Sequence, residues 1–453
     1  MTHEAHHRTT DENVLLAPVL RTTWKYVAVV GLLACGFATF VLVWGYQIVT
    51  GIGVAGINRP VAWGVYITNF VFWVGISHAG TLTSAFLHLT HADWRRPITR
   101  AAEAMTVFAL MIAGLFPLVH LGRVWVFYYM IPYPNTRTIW PNYRSPLPWD
   151  MTAIFTYLTG SSLFLFLGAI PDFALLRDRT SGWPRRIYSL LSFGWRGTQA
   201  EWRRLRAAFG VMTVVIIPVF VSVHTIVSWD FGMSIVPHWH TIILAPYFVI
   251  GAVLSGVSAV ITLMILLRRA FRLEEYLTPE HFDNIGKILL AASLMWTYFY
   301  GMDLWAALAS GVPEDWDVLR FIVQRYPHLL VIMLVCNVVL PAPLLAFRKV
   351  RRHLPTMLVL TLIINVGMWL ERYLIIVPSL SRGRITWGQY GPTWVELSIT
   401  FGTLATFGLL YTLFTKVAPI LSVWEIREGR EQEALRLVGD REVETTVKET
   451  VIG

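Results

Sequence analysis

Residues 114–150 decide how the chain is interpreted, and they read GLFPLVHLGRVWVFYYMIPYPNTRTIWPNYRSPLPWD. The first part predicts an apolar helix that carries His120. A loop rich in proline and aromatic residues then leads to Asp150, where the next apolar helix is expected to begin. A histidine inside one membrane helix and an acid at the mouth of the next, at one depth, suit a redox-active lipid headgroup that must lose protons.

Composition sets the broad class. The 453 residues are 55% hydrophobic and only 14% charged, which indicates a polytopic membrane protein rather than a soluble globular one. The formal charge of +9 is spread over loops, so it indicates membrane topology and not nucleic-acid binding. Cys35 and Cys336 lie far apart in apolar segments, so no iron–sulfur cluster or other metal is expected in this chain.

Hydropathy predicts an all-α fold. A bilayer core about 30 Å thick needs about 20 apolar residues per helix, and ten segments meet that requirement. The predicted fold class is therefore an all-α polytopic membrane protein with about ten transmembrane helices. The ten segments are 26–49, 64–90, 101–130, 151–176, 208–230, 239–268, 286–310, 326–347, 354–378 and 394–419.

The ten helices are expected to form two four-helix bundles of the same orientation, with two helices at the periphery. With the N-terminus inside, 28 of the 37 Lys and Arg residues fall on the inner side, so both termini are expected in the cytoplasm. The predicted parts are an N-terminal arm 1–25, a peripheral helix 26–49, a first bundle 64–230, a second bundle 239–378, a peripheral helix 394–419 and a tail 420–453.

Ionisable residues inside membrane helices are costly, so each is a candidate for function. Most fall in the outer halves of their helices, below the long outer loops, whereas His78 is expected near mid-membrane and Asp172 near the inner end. Structural interpretations stay open: His120 can be a hydrogen-bonded core histidine, and Asp150 can be a helix N-cap as well as a proton acceptor. The candidates are His78, His120, Asp150, Asp172, His224, Asp230, Asp303, Glu371 and Arg372.

A b-type haem is an alternative use of the histidines, and the spacing argues against it. His78 and His91 could share one helix, but His91 falls at the inner basic boundary. His224 and His238 are separated by Pro237, so they do not lie on one continuous helix.

A block of short motifs resembles the ActC subunit of alternative complex III, which belongs to the NrfD/PsrC-like family of quinone-interacting membrane subunits. The resemblance covers the ten-helix core. It is carried by Gly114-Leu115-Phe116-Pro117, His120-Leu121-Gly122-Arg123, Pro132-Tyr133-Pro134-Asn135, Trp140-Pro141-Asn142, Arg144-Ser145-Pro146, Trp149-Asp150, Ile170-Pro171-Asp172 and Leu175-Leu176-Arg177-Asp178.

The resemblance implies a quinol-oxidising subunit of a respiratory complex in a bacterial inner membrane. It implies that menaquinol or a similar quinol is oxidised near the periplasmic face, without haem or an iron–sulfur cluster in this chain. The implied partners are a periplasmic iron–sulfur subunit, multihaem cytochrome c subunits and a paralogous ActF-like membrane subunit.

The same resemblance assigns roles to residues. Family quinol residues match His120 and Asp150. Beside this match, and not from the resemblance, Arg123, Arg372 and Trp149 are expected around the quinol, where an arginine would stabilise developing negative charge on the quinol oxygen. A proton pathway, which would couple oxidation to proton translocation, is expected along His78, Asp172, His224, Asp230, Asp303 and Glu371.

Two other functional classes remain open from the sequence. One is a transporter-like or proton-translocating subunit, similar to ActF, that lacks a quinol site. The other is a structural anchor for a peripheral redox enzyme. A transporter should place its polar residues at mid-membrane, whereas these residues lean toward the outer side.

Overall fold

The computed structural model of the chain describes residues 12–131, 145–383 and 387–436. The predicted arm 1–25 and tail 420–453 therefore lie partly outside the described residues. The loop motifs between Pro132 and Arg144, on which part of the family resemblance rests, lie wholly outside them.

The described residues fold into helices joined by turns and by longer loops. Several helices start at a proline, whose missing N–H costs nothing in the first turn. The helices of eight or more residues are α1 (12–20), α2 (Trp24–Thr50), α3 (Val65–Leu89), α4 (Arg96–His120), α5 (Pro146–Arg179), α6 (Gly182–Leu191), α7 (Gln199–Gly232), α8 (Leu244–Phe271), α9 (Pro279–Ala309), α10 (Pro313–Arg325), α11 (Pro327–Ala346), α12 (Leu354–Ser381), α13 (Trp394–Phe414) and α14 (Val423–Arg436).

Nine helices among the described residues are long and apolar enough to cross a membrane: α2 to α5, α7, α8 and α11 to α13. The prediction of an all-α polytopic membrane protein is thereby confirmed. The tenth predicted segment, 286–310, lies within α9, which is helical but is not one of the nine. Its second half mixes Trp296, Tyr300 and Asp303 with aliphatic residues, and this mixture lowers its mean hydropathy.

For reference, we call α3, α4, α5 and α7 the first group of long helices, and α8, α9, α11 and α12 the second group. In the first group α3 packs against α4, α4 against α5, and α5 against α7. In the second group α8 packs against α9 and α12, and α11 packs against α12. The groups meet where α8 contacts α3, α4 and α7 and where α12 contacts α3.

At one side of this core, α2 and α13 pack against each other through small residues. A Cβ placed on Gly36 would lie 2.4 Å from the Cβ of Ala405, and one on Gly402 would lie 2.6 Å from the Cβ of Phe40. Small residues let membrane helices approach closely, so dispersion contacts between backbones hold this pair. The remaining face of α2 is mostly exposed, which suits contact with lipid.

A buried ion pair joins α4 and α5 at the end of these helices that lies away from His120 and Asp150. Arg100 on α4 pairs with Asp172 on α5, and the two side chains are 2% and 0% exposed. Arg100 also donates to the hydroxyl of Ser422 at 3.2 Å, and Asp172 accepts the backbone N–H of Val423 at 3.2 Å. Asp172, expected in a proton pathway, thus ties the start of α14 to the core.

Several predicted segment ends differ from the observed helices, and three of the differences have a clear local reason. The segment 101–130 ends as an α-helix at His120, because Gly122 takes the left-handed conformation with φ +68°. The segment 239–268 starts later, at Leu244, after His238 with φ +67°. The segment 208–230 starts earlier, at Gln199, because Thr198 caps the helix.

Gly36 supplies a test of the α2–α13 contact. Gly36→Ala should lower the stability of the protein by about 1–3 kcal/mol, because the added methyl group overlaps Ala405 and forces the helices apart. Gly45→Ala, in the same helix with nothing within 4 Å of the added Cβ, should be neutral or slightly stabilising. Thermal unfolding in detergent, followed by tryptophan fluorescence, measures both. Equal melting temperatures for the two variants would contradict this packing.

Candidate functional site

A cavity of about 210 Å³ lies where the end of α4, the start of α5 and the end of α7 meet. We refer to it as the first cavity. Leu147, which lines it, is 48% exposed, so the cavity borders the surface that would face lipid. Its lining residues are Trp63, Ile67, Phe70, Gly114, Pro117, His120, Leu121, Met130, Leu147, Asp150, Met151, Ile154, Asp230 and Phe231.

His120 is the last residue of α4, and the turn that follows fixes its position. The N–H of Leu121 still donates to Pro117, but Gly122 leaves the helix with a positive φ. A Cβ on Gly122 would also lie 2.9 Å from the Cβ of Ile52, so both the positive φ and the close approach favour glycine at this position. The Nδ1 atom of His120 is buried and has no hydrogen-bond partner among the described residues.

Asp150 is not the N-cap of α5, which was one interpretation of the sequence. Ser145 caps that helix, accepting the N–H of Leu147 at 3.4 Å, and Pro146 begins it. Asp150 therefore lies one turn inside the helix, where its backbone is satisfied and the residue is 6% exposed. Its carboxyl group is in hydrogen-bonding contact with the carboxyl group of Asp230 on α7.

The chemistry available in the first cavity is proton transfer. Two carboxyl groups in contact form a hydrogen bond only when one of them carries a proton, so the pair of Asp150 and Asp230 can hold and exchange one. One oxygen of each carboxyl group has no partner in the described parts of the chain. These oxygens are acceptors for a ligand with hydroxyl groups, and so is Nδ1 of His120 in the tautomer that carries its proton on Nε2.

The other residues expected around the quinol do not line the first cavity. Arg123 follows Gly122 and is exposed, and Trp149 is 46% exposed. Arg372 is buried on α12 in the second group of helices, where it pairs with Glu371 at 3.2 Å and lies 4.5 Å over the ring of Phe248.

His78 and His224 lie together between the two groups of helices. Their ring centroids are 4.6 Å apart, and both side chains are fully buried. The ring nitrogens of His78 lie 2.5 Å from the carbonyl of Val74 and 3.0 Å from that of Phe220, whereas those of His224 have no partner among the described residues. His224 also lies 5.9 Å from Phe248, the ring beneath Arg372.

Asp303 and Glu371 line a second, larger cavity of about 490 Å³ between α9, α10, α11 and α12. We refer to it as the second cavity. Asp303 accepts the hydroxyl of Thr241 at 2.6 Å, and its other oxygen lies 4.0 Å from His238. The structure thus divides the expected proton-pathway residues among the first cavity, the second cavity, the histidine pair and the ion pair of Asp172.

Several residues around the cavities were not predicted from the sequence. Trp63 in the first cavity, and His238, Tyr247 and Tyr300 in the second, are lining residues that sequence reasoning assigned no role. The tyrosines carried a usable signal, because a phenol at membrane depth needs a polar neighbour. Among the described residues, no group of three or more His, Cys, Asp or Glu side chains could hold a metal ion.

These features define a helical membrane subunit with proton-accepting groups buried near one end of its bundles. Residues 53–382 match the family described as polysulphide reductase, NrfD, and the chain belongs to this family. Members of the family are quinone-interacting membrane subunits of reductases. The chain is therefore a multi-pass membrane subunit of a redox enzyme complex.

Two relatives are similar over most of their length. A proposed membrane subunit of a dimethyl sulfoxide reductase from Halobacterium salinarum is 23% identical over 421 residues, covering 83% of this chain and 87% of the relative. A subunit of the selenate reductase of Mesobacillus selenatarsenatis is 19% identical over 436 residues, covering 90% of this chain and 95% of the relative.

The contact between Asp150 and Asp230 predicts a measurable coupling. Replacing both residues by asparagine should change stability by an amount that differs from the sum of the single changes by about 0.5–3 kcal/mol, as expected for residues in contact. The melting temperatures of the single and double variants measure the difference. The pair Asp150→Asn and Asp303→Asn, in separate cavities, is the control and should be additive.

Proposed function

We propose that this chain is the quinol-binding subunit of a membrane quinol oxidoreductase, and that the first cavity is its quinol site. The observation that supports the proposal is the convergence of His120, Asp150 and Asp230 on one cavity with unpartnered acceptor atoms. A cavity of about 210 Å³ suits a ring headgroup alone, so the isoprenoid tail would lie outside, along the exposed side chain of Leu147.

The acceptor groups of the first cavity match the two protons that the reaction would release. Oxidation of one quinol to quinone releases two electrons and two protons. One hydroxyl group would donate to Nδ1 of His120, and the other to the carboxyl pair, so that each proton meets an acceptor as the electrons leave. The two electrons would pass to a redox centre held by a partner subunit.

The sequence motifs support a finer identity of the complex. We propose menaquinol as the substrate and alternative complex III as the assembly, with this chain in the position of the ActC subunit. The partners would be a periplasmic iron–sulfur subunit, multihaem cytochrome c subunits and an ActF-like membrane subunit, and both termini would be cytoplasmic. The names of the two relatives support the alternative that the chain serves a terminal reductase. Copurification with multihaem cytochromes would favour the first assembly.

A second candidate function is proton translocation without a quinol site. It is favoured by the buried polar groups that continue beyond the first cavity, from His78 and His224 to Arg372 and Glu371. The distribution of acids supports the quinol site more strongly, since Asp150 and Asp230 share one cavity that borders the lipid-facing surface. Extraction of bound quinone from the purified protein separates the two candidates.

The quinol site predicts that His120→Ala lowers quinol oxidation by at least about 100-fold, because a positioned proton acceptor typically contributes that much. The assay is quinol-dependent reduction of an electron acceptor by the purified complex, with assembly checked on a native gel. His240→Ala is the matched control, since His240 is exposed and lines neither cavity, and it should keep full activity. An assembled His120→Ala complex with normal turnover would refute the assignment.

A further inference from the structure

We propose that the second cavity is a separate binding site for a lipid-soluble molecule whose uncharged aromatic headgroup carries a hydroxyl group. The class includes quinols and hydroxyquinolines. The inference concerns a different set of residues from the quinol site proposed above and does not depend on it.

The two cavities are neighbours at the same end of the molecule. Trp63, which lines the first cavity, stacks on Trp239 with ring centroids 5.9 Å apart and planes at 21°. Trp239 donates its indole N–H at 2.9 Å to the carbonyl of Ile375, which lines the second cavity. A wall of two tryptophans therefore separates the cavities, so one ligand would not occupy both.

The inner part of the second cavity is polar. Glu371 is 1% exposed, and Asp303 is 7% exposed. The side chain of His238 is nine-tenths buried, and its Nδ1 has no hydrogen-bond partner among the described residues. His238 is held there in a left-handed conformation, with φ +67°, and its backbone N–H donates to Asp315 at 2.6 Å. A strained residue fixed by a neighbouring carboxylate is typical of a ligand site.

The rest of the second cavity is aromatic and aliphatic. Tyr247 and Tyr300 flank the acids, and Tyr300 stacks on Trp296 at 5.2 Å, which gives the wall a rigid flat surface. Leucine, isoleucine, valine and methionine side chains line the remainder. The volume of about 490 Å³ lies within the range of about 300–1,000 Å³ that is typical of small-molecule sites.

The charges select the headgroup. Two carboxyl groups, Asp303 and Glu371, occupy the buried end, and they disfavour a phosphate there while accepting hydrogen bonds from a hydroxyl group. The cation that pairs with Glu371, Arg372, does not line the second cavity. Arg320 lines the second cavity from an exposed position over the ring of Trp316, so it lies at the mouth.

The test is a fluorescence titration of the purified complex in phosphatidylcholine nanodiscs with heptyl-hydroxyquinoline N-oxide. We expect two equivalents bound per chain. Leu308→Trp, which fills the second cavity from α9, should remove one equivalent and leave the other. Asp303→Asn should lower the affinity for one of the two bound molecules about tenfold, because a hydrogen bond to a charged group is lost.

Controls separate this proposal from the quinol site. Leu413→Trp, on an exposed leucine of α13, should keep both equivalents, and Ile154→Trp should remove only the one in the first cavity. Loss of quinol oxidation in His120→Ala with both equivalents retained would leave the second site standing.

Two results would overturn the second site. They are a number of bound equivalents that Leu308→Trp leaves unchanged, or a phospholipid that copurifies with the wild type and is lost in Leu308→Trp. A single equivalent in the wild type that Leu308→Trp removes would leave the second site standing and count against the first. Should Leu308→Trp fail to assemble, Asp303→Asn decides alone, and unchanged affinity at both equivalents would overturn the proposal.

Discussion

The contact between the carboxyl groups of Asp150 and Asp230 is the feature on which the first cavity depends. Two acids in an apolar surrounding are costly, and a proton shared between them lowers that cost without a cation. The contact requires α5 to start and α7 to end at the same depth. Ser145 and Pro146 set the start of α5, so the acid lies one turn inside it. His120 lies at the same end of the bundle, because α4 ends at this residue and Gly122 leaves the helical conformation shortly afterwards. Local stop and start signals thus bring three polar side chains to one cavity.

Tryptophans organise the space around this cavity. Trp63 is in contact with Phe231, the neighbour of Asp230, and with Trp239 on the far side. Trp239 is 1% exposed and its indole N–H is satisfied by a carbonyl of α12, so the ring can be buried at the junction of the two groups of helices. A rigid aromatic junction of this kind keeps the cavities apart while fixing their relative position. The histidine pair of His78 and His224 lies at the same junction, where α3, α7 and α8 meet.

The fold was largely predictable from hydropathy, whereas the site was predictable only in part. Apolar length alone identifies the spans, because lipid demands about 20 apolar residues per helix. His120 and Asp150 could be placed at one depth because a single loop joins them. The contact of Asp150 with Asp230 could not be predicted, because it depends on how α5 packs on α7. The periodicity of a helix shows which residues share a face, but it does not show which neighbouring helix that face contacts. Arg372 shows the same limit, because its depth in the membrane could be predicted from the sequence but its contact with the ring of Phe248 could not.

The two ends of the first group of helices differ in how their buried carboxyl groups are paired, and the difference supports a functional role for one end. At the end near α14, Asp172 is matched by Arg100 and by backbone N–H groups, so the charges are balanced and the contacts hold the chain together. At the cavity end, Asp150 and Asp230 have no cationic partner among the described residues, and their carboxyl groups contact each other instead. Stability alone favours removing such a pair or neutralising it with an arginine. Local rules are broken mainly where function requires it, and here the break coincides with a cavity that borders the lipid-facing surface.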